Sequence, residues 1–122
     1  MAKKILVVDD NRDTQELVAY RLKASGYEVI SAPDGETGLR KMKEDRPDLV
    51  ILDVRMPQMD GFECCRIARS DPELKGLPII FLSTAAQAWD LKKGKQVGAD
   101  GYVIKPYDSQ GLVEEIKKYL PE

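Results

Sequence analysis

The feature that most constrains this chain is a set of short apolar runs, each stopping at a polar residue. The central run, Val50-Ile51-Leu52, leads into Asp53, and Pro57 follows shortly after it. A continuous apolar run bounded by a breaker predicts a strand buried on both faces, as in parallel sheets. Three other runs behave alike. Ile5-Leu6-Val7-Val8 stops at Asp9-Asp10, Ile79-Ile80-Phe81-Leu82 at Ser83-Thr84, and Tyr102-Val103-Ile104 at Lys105-Pro106. A further strand is read at residues 27–31, which gives five strands, four of them apolar enough for two-sided burial.

Helical patterns fill the intervals. Asn11 or Asp13 caps the first helix, Leu17, Val18, Leu22 and Tyr20 or Arg21 recur at helical spacing, and Gly26 closes it. Pro33-Asp34-Gly35 is turn chemistry, and a helix is predicted from about Glu36 through Leu39 and Met42 to Pro47. The central strand is read at residues 48–53, and a helix after Gly61 runs through Ile67 and is ended by Asp71-Pro72. Residues 85–97 are read as a helix carrying Gly94, which costs about 1 kcal/mol against Ala. Asp108 is a good cap for a last helix running to Leu120, before Pro121. Strands alternating with helices predict an α/β fold, a single doubly wound (βα)5 flavodoxin-like domain with a five-stranded parallel sheet and right-handed crossovers. At 122 residues, with no linker, repeat or low-complexity tract, residues 1–122 are read as one domain without an output module.

The composition removes several function classes. With 19 basic and 21 acidic side chains the formal net charge is -2, which gives no electrostatic footprint for direct nucleic-acid binding. The chain has no histidine, so Ser-His and Cys-His nucleophilic catalysis are out. Its two cysteines, Cys64 and Cys65, are adjacent and lack CxxC spacing, which argues against a zinc-type site and against a structural disulfide between them. No apolar run has the length of a membrane span or a signal-peptide core, so a cytoplasmic location without membrane insertion is expected.

Parallel strands bring their carboxyl ends to one edge, where ligands of open α/β sheets bind. Here that edge would collect Asp9, Asp10, Asp53, Ser83, Thr84 and Lys105. Clustered carboxylates raise one another's pKa, and a hard divalent cation relieves the repulsion. Oxygen ligands without imidazole or thiolate favour Mg²⁺, with Mn²⁺ as the substitute. Three carboxylates, one ammonium and one dication sum to zero charge, so an added phosphoryl group would lean on the metal and on Lys105. Singly, each residue has a plainer reading as a helix cap, loop residue or solvated strand end. Their joint occurrence at successive strand ends is what points to a site.

These residues resemble the receiver (response regulator, chemotaxis-regulator-like) domain family of two-component signalling. The resemblance rests on Ile5-Leu6-Val7-Val8-Asp9-Asp10, Asp53 with Met56-Pro57 and Met59-Asp60-Gly61, Leu82-Ser83, Gly98-Ala99-Asp100, Tyr102 and Lys105-Pro106. It implies that Asp53 is the phosphoacceptor, attacking a phosphohistidine on a sensor histidine kinase or phosphotransfer protein. It implies that Asp10 binds Mg²⁺ directly, Asp9 mainly through water, and Asp53 and the backbone carbonyl of Arg55 as further ligands. Lys105 would pair with a phosphoryl oxygen before a cis Lys105–Pro106 bond. Ser83 would hydrogen-bond the phosphoryl group, and Tyr102 would be the aromatic switch that turns inward when Ser83 moves. Thr84 is an alternative alignment for the hydroxyl. The apolar run ends at Leu82, so Ser83 continues the strand, and Thr84 then stands where the family usually has alanine and could narrow phosphoryl access.

The family also implies a downstream protein target on the fourth helix, fifth strand and fifth helix, and a monomer or a phosphorylation-dependent dimer. Such a chain is a signalling switch that assists its own phosphorylation and dephosphorylation, and is not an enzyme. Trp89 is either core, the commoner fate of a lone Trp, or part of that output surface. The competing reading is a receiver-like interaction module that works without phosphorylation. A flavodoxin-type flavin site would need a Ser/Thr/Gly-rich first loop, whereas Asp9-Asp10-Asn11-Arg12-Asp13 would repel a phosphate. A phosphohydrolase with a first-strand nucleophile would need a second Asp two positions on, and the chain has no such pair.

Overall fold

A computed structural model describes residues 2–85, 87–106 and 108–120, with Ser109 described by its backbone alone. The chain alternates strictly: β1 Lys4–Val8, α1 Arg12–Ala24, β2 Glu28–Ala32, α2 Gly35–Glu44, β3 Leu49–Leu52, α3 Gly61–Ser70, β4 Ile79–Ser83, α4 Ala88–Gln96, β5 Gly101–Ile104 and α5 Ser109–Lys117. All neighbouring strands pair in parallel, in the order β2-β1-β3-β4-β5. This is the doubly wound flavodoxin-like fold that the sequence predicts. Among the described residues, no helix is long and apolar enough to cross a membrane.

The period of two along each strand divides the core into two layers. Leu6, Val8, Val50, Leu52, Ile79 and Phe81 pack with Met42 of α2 and with Phe62, Cys64, Cys65 and Ala68 of α3. Their strand neighbours Ile5, Val7, Leu49, Ile51, Ile80 and Leu82 pack on the other face with Val18 and Leu22 of α1 and Leu112 and Ile116 of α5. Every residue of β3 and β4 is buried. Three strands, β1, β3 and β4, are therefore covered on both faces, one fewer than the four expected. Strand β5 is the exception: it lies at the edge of the sheet, pairs with β4 alone, and is only half-buried.

Helix starts follow local capping chemistry. Asn11, Asp34, Asp60 and Asp108 each accept a hydrogen bond from a backbone N–H three residues on, at Thr14, Thr37, Glu63 and Gly111. Gly26 takes φ +96° just after α1, where only glycine is unstrained.

Several boundaries differ from the sequence reading. Strand β2 starts and ends one residue later. Helix α2 stops at Glu44 rather than Pro47, because Arg46 turns into the left-handed region at φ 47°. Helix α5 stops at Lys117, short of Leu120; Pro121 lies outside the described residues. Helix α4 starts at Ala88 rather than Ala85, with Gln87 and Asp90 forming a capping box. Ala85 is engaged elsewhere by its backbone, and Ala86 lies outside the described residues.

Not every helical apolar residue is core. Val18 and Leu22 are buried, but Leu17 is 48% and Tyr20 73% exposed. Trp89 is 68% exposed, so it stands on the surface of α4 and the core alternative is wrong. Cys64 and Cys65 are free, buried thiols, and burial pushes them up to about 12 and about 11.

Candidate functional site

The strand order decides where the site lies. From β1 the chain crosses to β2 on one side, and from β3 it crosses to β4 on the other. The crevice at such a reversal opens at the carboxyl ends of β1 and β3. Asp9 and Asp53 immediately follow those two strands, and Asp53 N–H donates to the Val8 carbonyl at 3.0 Å. One carboxylate oxygen from each of Asp9, Asp10 and Asp53 lies within 4.8 Å of the others.

Asp9 is held from several directions. Its backbone N–H donates to the Ala32 carbonyl at 3.1 Å, and its Oδ1 accepts from the Asn11 N–H at 2.8 Å. Its Oδ2 faces the Lys105 Nζ at 3.4 Å. The Gln15 side-chain amide donates to both the Asp9 and the Ala32 carbonyls and so clamps the ends of β1 and β2. Gln15 carries no signal in the sequence, because an exposed helical glutamine would read the same. Asp9 is buried and Asp10 is exposed, so the cluster runs from the crevice floor to solvent.

Asp53 is held by the loop that follows β3. Its Oδ1 accepts from the Val54 N–H at 2.9 Å. Burial, and then the charge of Asp9, push its pKa up from 3.8 to about 6, against the opposing pull of Lys105. Burial and like charge both disfavour the ionised carboxylate, and a bound cation would offset both. The donor set consists of carboxylate oxygens in a chain without histidine, and it fits a hard divalent ion such as Mg²⁺.

Helix α3 presses on the same spot. The Gly61 N–H donates to the Val54 carbonyl at 2.7 Å, and a Cβ on Gly61 would run into the Asp53 carbonyl oxygen. Gly61 therefore lets the α3 N-terminus rest directly on the backbone that carries Asp53. The sequence shows the Asp60-Gly61 pair but not this contact, which joins residues on opposite sides of a loop.

The other predicted residues occupy the β4 and β5 side of the edge. Ser83 ends β4 and is buried; its Oγ accepts from the Ala85 N–H at 3.2 Å. The Lys105 N–H donates to the Ser83 carbonyl at 2.9 Å, and the Lys105–Pro106 bond is cis. Thr84 is exposed beside Ser83, and Arg55, two residues past Asp53, is also exposed. Tyr102 does not join the acids. Its hydroxyl donates to the Ala85 carbonyl, and its ring lies 5.6 Å from that of Phe81. Burial, and then the charge of Asp90, raise the Tyr102 pKa.

Residues 5–117 match the family described as the response regulator receiver domain. The chain is 40% identical over 120 residues to the alkaline phosphatase synthesis transcriptional regulatory protein PhoP of Bacillus subtilis, covering 98% of this chain and 49% of that protein. It spans about half the length of the curated relatives it matches. The solved structure of chemotaxis protein CheY4 from Vibrio cholerae is 35% identical, with a TM-score of 0.92 over 98% of this chain and 99% of that one. The receiver domain of a sensor histidine kinase from Pseudomonas aeruginosa is 28% identical, with a TM-score of 0.92 over 100% of both chains. It was solved with a magnesium ion coordinated in its active-site cleft.

Proposed function

This chain belongs to the response regulator receiver domain family, and from that premise we propose that it is a phosphoacceptor switch in a two-component phosphorelay. The observation that carries the reading is the Asp9, Asp10 and Asp53 cluster, with Lys105 on its rim and the Asp53 pKa raised by burial and by Asp9. Asp9, Asp10, Asp53 and the Arg55 carbonyl would hold Mg²⁺, or Mn²⁺ in its place. When bound, the dication neutralises carboxylate repulsion and the negative charge of an incoming phosphoryl group.

The residues then divide the work. The Asp53 carboxylate attacks the phosphorus of a phosphohistidine on a sensor histidine kinase or phosphotransfer protein. The P–N bond breaks, imidazole leaves, and an acyl phosphate forms on Asp53. Lys105, already drawn to Asp9, pairs with a phosphoryl oxygen. Ser83, whose Oγ accepts from the Ala85 N–H, donates its hydroxyl proton to a phosphoryl oxygen, and Thr84 borders the approach. The added charge of about -1.5 to -2 biases a surface built from α4, β5 and α5, on which Trp89 is exposed, towards a downstream protein. The chain acts as substrate and switch, assisting gain and loss of its own phosphoryl group, rather than as an enzyme.

The test is intact-mass spectrometry after incubation with acetyl phosphate, with and without Mg²⁺, on the wild type and Asp53→Asn. A Mg²⁺-dependent phosphoryl adduct that is absent from the variant is expected. No adduct under any condition would overturn the reading in favour of a phosphorylation-independent interaction module.

A further inference from the structure

The interior of α4 contains a glycine that the helix itself does not need. Gly94 is buried in the Ala88–Gln96 helix, where alanine would be the better helix former. The space its missing side chain leaves is taken by Tyr102. A Cβ at position 94 would lie 3.1 Å from Cδ2 and 3.4 Å from Cε2 of that ring, with Phe81 Cδ2 at 3.5 Å. The first of these distances is closer than packed carbons normally approach, so an alanine here would force the ring to shift.

The ring also has somewhere to go. A cavity of about 270 Å³ opens between α4 and β5, lined by Leu91, Gly94, Ala99, Gly101 and the Tyr102 ring itself, with Lys95 and Asp100 on its polar border. The hydroxyl end of Tyr102 is tied to the phosphoryl side of the molecule. It donates to the Ala85 carbonyl, and the N–H of the same residue donates to Ser83 Oγ. Gly94, Tyr102, Ala85 and Ser83 thus form one continuous path from the middle of α4 to the edge of the site.

We propose that Gly94 is a positioning residue that seats the Tyr102 ring against α4 and biases the switch towards the ring-in arrangement before any phosphoryl group arrives. This rests on the reading of Tyr102 as the switch residue. An alanine would fill the seat and push the ring towards the cavity. The ring must give by a few tenths of an ångström, which strains its hydrogen bond to the Ala85 carbonyl, and the competent fraction of the protein would fall. A ligand that selects the ring-in state then binds more weakly in proportion to the lost fraction.

The test uses the full chain labelled with ¹³C on its tyrosine rings, the Tyr102 signal being assigned with Tyr102→Phe. Spectra are recorded with Mg²⁺ alone and with Mg²⁺ plus beryllofluoride, a stable phosphoryl mimic. In the wild type, a ring-in signal should be present with Mg²⁺ alone and should grow with beryllofluoride. In Gly94→Ala, the ring-in fraction should drop and the apparent beryllofluoride affinity should fall by the same factor, roughly fivefold or more. If the wild-type Tyr102 signal ignores beryllofluoride, the switch reading itself fails. If it responds but Gly94→Ala leaves both fraction and affinity unchanged, the seat is refuted.

A second variant separates the seat from general helix packing. In a Tyr102→Ala background, Gly94→Ala should raise the melting temperature, because the helix then gains alanine without meeting a ring. If Gly94→Ala alone does not fold and the double variant does, the conflict lies with the ring, as proposed. If neither folds, or alanine lowers the melting temperature in both backgrounds, the glycine answers to other packing and the proposal is overturned.

Discussion

Replacing Asp53 with Asn should stabilise the metal-free fold at neutral pH, although it removes the proposed nucleophile. The structure makes the ionised Asp53 costly: burial and Asp9 raise its pKa from 3.8 to about 6. At about 1.36 kcal/mol per pKa unit, a rise of that size corresponds to roughly 3 kcal/mol of lost stability once the group is ionised in both states. The carboxyl is partly open to water, which screens it, so about 1–2 kcal/mol is the working figure. In a domain of this size that is a rise of roughly 5 °C in melting temperature. Asparagine keeps an Oδ1 for the Val54 N–H, so the local hydrogen bond survives the change.

The sign with pH follows from the direction of the shift. The folded state holds the Asp53 proton more tightly than the unfolded chain, so this group costs stability above about pH 6. The cost fades as pH falls through 6 and is gone below the unfolded value of 3.8. Urea or thermal denaturation in EDTA at pH 7.5 and pH 4.5 measures the difference. The Asp53→Asn advantage should be full at the higher pH and clearly smaller at the lower, where part of the cost remains because pH 4.5 still lies above the unfolded value of 3.8. Saturating Mg²⁺ should stabilise the wild type more than the variant and narrow the gap. An Asp53→Asn protein no more stable than the wild type at pH 7.5, or one whose advantage grows at pH 4.5, would refute the electrostatic account.

Two further substitutions probe the walls of the site. Gly61→Ala places a methyl group against the Asp53 carbonyl, so it should cost about 1–3 kcal/mol and slow acetyl phosphate labelling as Asp53 is displaced; full stability in urea would contradict the contact. Thr84→Ala removes an exposed side chain beside Ser83, so stability should stay within about 0.5 kcal/mol while the hydrolysis rate of the phosphorylated protein changes. Equal decay curves for wild type and variant by intact mass would remove Thr84 from phosphoryl access.

The fold class and much of the site were legible in the chain because both are written in local patterns. Runs such as Val50-Ile51-Leu52 can be buried only in a covered sheet, and polar residues placed directly after them must emerge at one edge if the strands are parallel. Asp9, Asp10, Asp53, Ser83 and Lys105 could be listed together on that ground alone. The helix caps at Asn11 and Asp108 were equally readable, since each acts within three residues, whereas Asp34 and Asp60 read only as turn and loop residues.

What the tertiary structure decided involves partners far apart in sequence. The order β2-β1-β3-β4-β5 puts β1 beside β3, and only that adjacency turns three carboxylates into one cluster and raises the Asp53 pKa. It also leaves β5 at the edge, half-buried despite an apolar sequence as persuasive as that of β1. Trp89, Leu17 and Tyr20 are exposed because amphipathic spacing marks candidates for a core face, while the neighbouring elements determine how wide that face is. Gly94 reads as a helix-weakening residue and Gly61 as a loop residue until the Tyr102 ring and the Asp53 carbonyl are seen in the space a Cβ would occupy. Periodicity and capping are properties of neighbours along the chain. Cluster electrostatics and close backbone approach are properties of neighbours in space, and these appear only once the sheet is assembled.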